Sequence, residues 1–205
     1  MAQRNEYKQL TAATKRLLKS QEERNVDFKV KPDGVKAEDF VALANAQGGS
    51  ILVGVEEKRD KHGKQYGVVV GCSISEQSRQ GFISTAASCR PSIDISVRIE
   101  NLEAGQPIYR IDVPEGTSKP YCTGAGIYKI RVQGQNIAID PPLMKAIILQ
   151  QEADEFVMRF KAAADELLKH IDHVHKSLDK QVRRVERAAR DAEKAAVEAG
   201  LWGAA

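Results

Sequence analysis

The chain has 205 residues, of which 42% are hydrophobic and only 5% aromatic, and its formal net charge at pH 7 is +3. This length predicts one globular domain with an extension, or two very small domains. A charge this close to neutral neither requires nor excludes a nucleic-acid partner. The three cysteines lack the spacing of a zinc site, and no apolar run reaches the ~18 residues of a membrane span. We therefore expect a reducing, cytoplasmic location and no membrane partner.

The first twenty residues predict a basic amphipathic helix. Tyr7 and Leu10 can lie on one side with two later leucines, while four basic residues occupy the remaining surface. Two interpretations stay open. The helix packs on a sheet with its charged face in water, which is the commoner case, or it contacts phosphate groups.

The centre of the chain is the segment over residues 20–57. Alternation over Val26–Val30 predicts a strand that carries Asp27 on one face, and a turn and a helix follow it. The apolar run Ile51–Val55 is short, β-branched and bounded by glycine, which predicts one buried strand. Glu56 comes at the end of that strand. The segment therefore predicts a β-α-β unit with carboxylates on both strands.

The chain after this segment predicts a hairpin, a second helix and three further strands. Lys58–Gln65 is polar and forms the predicted hairpin tip. Ser75–Cys89 predicts a helix that begins at a serine cap and turns Phe82, Ile83 and Ala86 inward. The element order is then β-α-β-β-α-β-β-β, a mixed α/β domain with one sheet. The last three strands are predicted at Ile93–Glu100, Ile108–Val113 and Gly126–Val132.

Residues 143–199 predict one long helix, and residues 200–205 a flexible tail. Apolar residues repeat every seven positions over six heptads without a proline or glycine. Such a repeat predicts a left-handed coiled coil, or a long hairpin packed against another element. Because the helix is too long to bury its apolar stripe within one domain, we expect a homodimer or higher homo-oligomer. The two seam positions hold Val157, Ala164, Ile171, Leu178, Val185 and Ala192, and Phe160, Leu167, Val174, Gln181, Ala188 and Ala195.

Five short motifs follow one another along residues 21–142. They are Glu22 followed by Asp27-Phe28-Lys29, FVALANAQGG at Phe40–Gly49, ILVGVEE at Ile51–Glu57, the loop Ile111–Pro120 and the strand Tyr128–Gly134. In order and spacing they resemble the AlbA-like domain of the Schlafen family, also called the divergent AAA domain. The chain is most similar to the prokaryotic type with a single domain. The resemblance implies an α/β domain of the α+β type with a mixed sheet. In this chain the long C-terminal helix follows that domain.

The resemblance also implies a catalytic site at the acidic residues of the central segment. Catalytic Schlafen domains are metal-dependent endoribonucleases that act on transfer RNA, and their acidic triad falls on Glu22, Asp27 and Glu56. These carboxylates would ligate Mg²⁺ or Mn²⁺, hard ions that prefer oxygen ligands, with Lys29 assisting at the phosphate. The sequence departs from the family here, since Asp27 stands where glutamate is usual and Glu56 where aspartate is usual. Without the resemblance, such carboxylates are more often simply solvated.

The expected partner is RNA of a transfer-RNA-like kind or another nucleic acid, and relatives in this family take part in antiviral defence. ATP is not expected, because the chain has no GxxxxGK[ST] motif. The alternative is a non-catalytic nucleic-acid-binding module that oligomerises or docks a partner through its C-terminal helix, and a nucleotide-sensing regulator is a third possibility. The residues expected to contact nucleic acid are Lys58, Lys61, Lys64, Lys119 and Arg131.

Overall fold

The computed structural model describes residues 6–19, 25–62 and 65–199 of the chain. Contacts divide the chain into two compact units, one over residues 1–151 and the other over residues 152–205. The described strands all lie in the first unit, and the described part of the second unit is helical. A mixed α+β domain followed by a long C-terminal helix confirms the fold class predicted from the sequence.

A four-stranded sheet forms the centre of the first unit. Strands β1 and β2 run parallel, because helix α2 (Ala37–Asn45) lies between them in the chain and returns it to the same edge. The other two strand pairs of this sheet are antiparallel. The predicted β-α-β unit is therefore present. In spatial order the strands are β1 (Val26–Lys29), β2 (Gly49–Val53), β6 (Ile108–Val113) and β5 (Ser96–Glu100).

The apolar run Ile51–Val55 does not form a single strand. It is divided at Gly54, whose φ of +94° is readily adopted only by glycine. Strand β3 (Val55–Arg59) then leaves the central sheet and pairs with β4 (Gln65–Val69) in a separate hairpin. The prediction of one sheet is therefore wrong for the described residues, and Glu56 belongs to this hairpin.

A second hairpin follows the central sheet in the chain. Strand β7 (Lys129–Val132) is the latter half of the predicted strand Gly126–Val132, and β8 (Gln135–Ala138) pairs antiparallel with it. Both strands contact α2. The sequence does not predict β8, because this short, mostly polar segment lacks the apolar alternation of a strand.

The N-terminal helix is shorter than predicted. Helix α1 covers Ala12–Lys19, and the residues directly before it pair with the edge of β5. The Thr11 side chain accepts a hydrogen bond from the Thr14 amide at 3.2 Å, so the helix begins there. The predicted helical positions at 1–5 and 20 lie outside the described residues.

Helix α3 (Glu76–Ala87) begins at the predicted cap, where the Ser75 side chain accepts a backbone hydrogen bond at 3.1 Å. Phe82 and Ala86 are buried, as predicted, whereas Ile83 is 38% exposed, so its predicted inward orientation is wrong. Phe82 and Ala86 are one helical turn apart and share a side. Ile83 is rotated from Phe82 by about 100° and points away from it.

The central sheet separates two clusters of apolar side chains. Successive residues of a strand point to opposite faces, so Ile51 and Val53 lie on one side and Leu52 on the other. Helices α2 and α3 cover the first cluster. Helix α1 and the β3–β4 hairpin cover the second, where Val55 and Ile108 are fully buried. This second face carries the groove described below.

Helix α4 (Pro141–Glu198) supplies the described part of the second unit. Large apolar side chains along it are exposed, and acidic residues pair with cations one turn later, as in Lys176–Asp172 at 2.6 Å. The tail over 200–205 lies outside the described residues. None of the described helices has the length and apolar character needed to cross a bilayer. A coiled coil requires a second helix beside α4, so the predicted coiled coil stays a prediction.

Candidate functional site

Strand β1 brings a carboxylate and an ammonium group to the side of the sheet that faces α2. Asp27 and Lys29 are two residues apart on the strand and therefore share that side. The Lys29 Nζ lies 2.9 Å from Asp27 Oδ2 and 3.4 Å from Asp39 Oδ1 on α2. Lys29 thus bridges carboxylates from two elements.

Arg131 enters the same region from β7. Its Nη2 donates to the Val26 carbonyl at 2.6 Å and lies 3.4 Å from Asp27 Oδ1, while its Nη1 donates to Asn136 Oδ1 at 2.8 Å. Only 5% of the Arg131 side chain is exposed. This guanidinium, expected from the sequence to grip a nucleic-acid backbone, lies inside the domain and ties β7 to β1.

We call Asp27, Lys29, Asp39, Arg131 and Asn136 the charge cluster. Burial disfavours the charged form of Lys29, but its hydrogen bond to Asp27 and the charges of Asp27 and Asp39 together outweigh burial, so the pKa of Lys29 is raised above its ordinary value. Burial raises the pKa of Asp39 by more than the Lys36 amide and Lys29 lower it. The cluster is therefore a partly desolvated network that joins β1, α2 and the β7–β8 hairpin.

Glu56 lies apart from this network. It is about half exposed on β3, and Lys58 Nζ is 3.2 Å from its carboxylate. Because Gly54 takes the chain out of the central sheet, no hydrogen bond or ion pair joins Glu56 to Asp27 in the described part of the chain. The structure therefore brings Asp27 and Lys29 together but does not bring Glu56 to them.

The predicted ligands of Mg²⁺ or Mn²⁺ do not assemble in the described ranges. These ranges contain no group of three histidine, cysteine or carboxylate side chains placed to hold a metal ion. Asp27 faces Lys29 and Arg131, whose positive charges compete with a divalent ion for its oxygens. The third predicted ligand, Glu22, lies outside the described residues. Because one of the three ligands is not described, the site for Mg²⁺ or Mn²⁺ stays a prediction.

The basic residues predicted on the β3–β4 hairpin lie at the surface. Lys58 is about half exposed beside Glu56, and Lys61 is exposed in the turn that follows β3. Lys64 lies outside the described residues. Of the cations predicted on this hairpin, Lys58 is paired with Glu56, and Lys61 is the described one that is exposed to solvent.

The Lys119 side chain binds groups within the domain and is not free at the surface. Its Nζ donates to the Ala46 carbonyl at 2.6 Å, directly after the last turn of α2, and to Glu115 Oε1 at 2.7 Å. A cation at this point complements the partial negative charge at the C-terminus of the helix. The Lys119 ammonium thus stabilises the end of α2 and the loop after β6.

A groove of about 660 Å³ opens between α1 and the β3–β4 hairpin. Lys15 and Lys19 are exposed on α1 and lie one turn apart, so they present two cations along one side of the helix. Neither lysine forms an ion pair with a described residue. Tyr66 of β4 contributes an aromatic ring. The lining consists of Lys15, Leu18, Lys19, Asp60, Tyr66 and Gly67.

Gly67 allows α1 and the hairpin to approach each other at the base of this groove. A Cβ atom at this position would lie 2.8 Å from Leu18 Cδ2 and 2.8 Å from Val55 Cγ1. Real Cβ atoms do not approach side chains this closely, so a larger residue at this position would require the Leu18 and Val55 side chains to shift. Glycine at this position therefore permits the close packing of Leu18 against the hairpin.

Glu100 holds α1 against the sheet. This fully buried carboxylate accepts hydrogen bonds from the Thr11 amide at 2.8 Å, the Thr11 hydroxyl at 3.0 Å and the Thr14 hydroxyl at 2.9 Å. Hydrogen bonds to an ionised group are stronger than those between neutral groups. Glu100 thereby fixes the side of α1 from which the lysines project.

The sequence indicates one side of the groove but not the other. Its basic N-terminal run leaves phosphate contact as one of two interpretations, and Lys15 and Lys19 belong to that run. Tyr66 and Gly67 are not predicted to belong to a site, because a tyrosine followed by glycine in a strand carries no signal of a groove. Only the packing of α1 across the hairpin brings these residues together.

The Schlafen, AlbA_2 family matches residues 22–140, which is more than half of the chain. The comparison with curated proteins gives no match. The N-terminal domain of a RecG-related protein from Nitrosomonas europaea is 21% identical, with a TM-score of 0.45 over 56% of this chain and 81% of that one. The DIP2311 protein from Corynebacterium diphtheriae is 21% identical, with a TM-score of 0.39 over 57% of this chain and 25% of that one. The family match confirms the resemblance: the chain belongs to the Schlafen AlbA_2 family, and this family indicates a nucleic-acid-related function.

Proposed function

We propose that the protein binds single-stranded RNA in the groove between α1 and the β3–β4 hairpin. The observation that carries this proposal is the combination of Lys15 and Lys19, free of ion pairs with described residues, with the ring of Tyr66. Free cations neutralise phosphates and release counterions, and an aromatic ring offers a surface on which an unpaired base stacks. The groove therefore combines the two features that sequence-tolerant binding of a single strand needs.

The pairing of the other cations favours this groove over the charge cluster as the RNA site. Lys29 and Arg131 are mostly buried and face carboxylates, and Lys119 caps a helix. To bind a phosphate, each would have to leave partners that already satisfy its charge. Lys15 and Lys19 lose no such partner among the described residues, so their binding to phosphate is opposed by the loss of side-chain freedom and water and by the charge of Asp60, which also lines the groove.

The test replaces Tyr66 by leucine and measures binding of a fluorescently labelled single-stranded RNA by anisotropy. Loss of stacking on one base is expected to weaken binding by about 5- to 150-fold. Tyr128→Leu is the matched control, because Tyr128 is a partly exposed tyrosine that does not line the groove. Equal affinity of the Tyr66→Leu variant and the unaltered protein would refute stacking in the groove, whereas equal weakening by both substitutions would point to a general loss of structure.

A second candidate function is the metal-dependent endoribonuclease activity that the family resemblance implies, with antiviral defence as its biological role. The observation that favours it is the Asp27–Lys29 pair, a carboxylate and an ammonium group 2.9 Å apart whose side chains retain 16% and 24% exposure. Part of each side chain therefore lies at the surface, although the Asp27 Oδ2 atom itself is buried. Hydrolysis would additionally need Glu22 and Glu56 to join it, and Glu56 lies on a different sheet.

The two functions differ in what happens to bound RNA. If the protein only binds, end-labelled RNA stays intact with Mn²⁺ while it is retained by the groove. If it hydrolyses RNA, fragments appear with Mn²⁺ and disappear with a chelator, and Glu56→Gln abolishes them. Glu57→Gln is the matched control, since Glu57 is the neighbouring exposed carboxylate of β3. Cleavage by Glu56→Gln at the normal rate would remove Glu56 from the proposed triad.

A further inference from the structure

One side of α4 in the second unit carries large apolar side chains that are between 46% and 70% exposed. They occupy the two predicted seam columns and the adjacent column, four residues after the first seam position. The described part of this unit is helix throughout, so no other described element of the unit covers them. We call them the stripe: Val157, Phe160, Leu167, Leu168, Ile171, Val174, Leu178, Val182 and Val185.

On the opposite, outer face of the same helix, the charged side chains form ion pairs with one another. Four acidic residues at one heptad column are each followed four positions later by a cation, the order that stabilises a helix. Two of these pairs are in contact, Lys176–Asp172 at 2.6 Å and Arg190–Glu186 at 3.8 Å. The polar face therefore needs no partner, whereas the stripe has none in its unit. The four pairs are Asp165–Lys169, Asp172–Lys176, Asp179–Arg183 and Glu186–Arg190.

We propose that the stripe binds the stripe of a second copy of the chain in a parallel, in-register coiled-coil dimer. Nine side chains that each bury on the order of 60–80 Å² would remove roughly 1,000–1,400 Å² from water over the two copies. This area reaches the range of specific, stable interfaces. A second copy also supplies an identical heptad register, which knobs-into-holes packing along the whole stripe requires.

Gln181 favours a parallel over an antiparallel arrangement of the two α4 helices. It occupies a seam position between Val174 and Ala188, where the neighbouring heptads are apolar. In a parallel, in-register pair Gln181 meets its own copy, and the two amides donate to and accept from each other. In a reversed pair it meets an apolar residue such as Ile171 or Ala164, which leaves a buried amide without a partner. A single polar seam residue is a known means of fixing register.

The branched residues of the first seam column favour two strands. Val157, Ile171 and Val185 alternate there with leucine and alanine, and the second column holds one leucine, Leu167, beside Phe160 and Val174. β-Branched residues at the first seam position with leucine at the second are typical of parallel dimers, and the chain meets the first half of this pattern along the stripe and the second half at Leu167. Such a dimer places the starts of both α4 helices at one end, so that one RNA could engage two grooves. That consequence rests on the proposed RNA binding, but the dimer does not.

The orientation is tested by cross-linking the full chain. In the Val174→Cys variant, which keeps Gln181 and alters the same seam column one heptad earlier, a parallel in-register dimer brings the two new thiols within disulfide distance, and mild oxidation is expected to convert most of the chain to a covalent dimer. Lys176→Cys is the matched control, because Lys176 lies on the outer face. The unaltered protein gives the background from Cys72, Cys89 and Cys122. No covalent dimer above that background, or equal dimer from the Lys176→Cys control, would overturn the parallel arrangement.

The stoichiometry is tested by light scattering. The unaltered chain is expected at twice the monomer mass of 22.6 kDa, and Ile171→Asp with Leu178→Asp at the monomer mass. Ala162→Asp with His173→Asp adds the same carboxylates to the outer face and is expected to remain dimeric. An unaltered chain that is monomeric, or larger than a dimer, would refute the proposal, as would an unchanged mass of the first variant. These masses do not depend on RNA, so failure of the groove proposal leaves them unaffected.

Discussion

Removal of the two groove lysines gives the sharpest test of RNA binding. Lys15 and Lys19 are exposed, lie one turn apart and have no ion-pair partner among the described residues, so their truncation to alanine leaves no described carboxylate unpaired. Alanine also has the highest helix propensity, which protects α1 itself. The substitutions should therefore change binding without a comparable change in folding.

The size of the effect follows from counterion release. For a single strand, the logarithm of the affinity falls by about 0.7 per phosphate contact for each unit of the logarithm of salt concentration. Two lost contacts lower this slope by about 1.4. Between about 50 mM and 200 mM salt, the unaltered protein should then lose roughly seven times more affinity than the double variant.

The assay is a titration of labelled single-stranded RNA at four or more salt concentrations. Lys31→Ala with Lys145→Ala is the matched control, because these lysines are also exposed but do not line the groove. The control should keep the slope of the unaltered protein. The same slope for the Lys15 and Lys19 variant and the unaltered protein would remove α1 from the interface, and a flat salt dependence of the unaltered protein would refute phosphate contacts altogether.

Three further outcomes follow from buried polar groups. Asp27→Asn should lower the free energy of unfolding in urea by about 2–3 kcal/mol, because Lys29 and Arg131 lose their shared carboxylate. The raised pKa of Lys29 means that its ion pairs contribute stability below the ordinary pKa of 10.5, which is lost as the pH rises through the raised value. Thermal melts from about pH 8 to pH 11 should show this loss, and Lys29→Met should lack it. Glu100→Ala should cost about 2–4 kcal/mol and also weaken RNA binding, since α1 loses its anchor; unchanged affinity would show that the groove does not need this helix position.

The elements that the sequence predicts well are those set by local periodicity. The alternation around Phe28 and the apolar face of α2 reflect side chains that meet the core directly, so β1 and α2 are found where expected. The division at Gly54 is different. The run ILVGV has the composition of a continuous strand, and only the hydrogen bonds from Val70 and Gly71 to the Gly54 carbonyl, across the hairpin, explain why the chain turns there. The end of the strand at Gly54 is therefore determined by contacts between residues distant in sequence.

The candidate site shows the same division between local and distant causes. Asp27 and Lys29 share a strand face, as alternation requires, and Lys29 does contact Asp27. The expected convergence of Glu56 assumed that both strands end at one sheet edge, an assumption that Gly54 breaks. The position of Arg131 depends on β8, because Asn136 holds one of its nitrogens. No local pattern in the sequence indicates that contact.

Because Asp27 belongs to the charge cluster, loss of RNA cleavage in an Asp27 variant would not by itself identify Asp27 as a catalytic residue. Its carboxylate faces one cation from its own strand and another from β7, so any substitution there perturbs the contacts among β1, α2 and the β7–β8 hairpin. Glu56 is half exposed, and its only described ion-pair partner is Lys58, so its substitution leaves the fold intact. Loss of RNA cleavage in Glu56→Gln, with an unchanged melting temperature, would identify a catalytic carboxylate. Loss in Asp27→Asn alone would be explained by the network that this residue holds together.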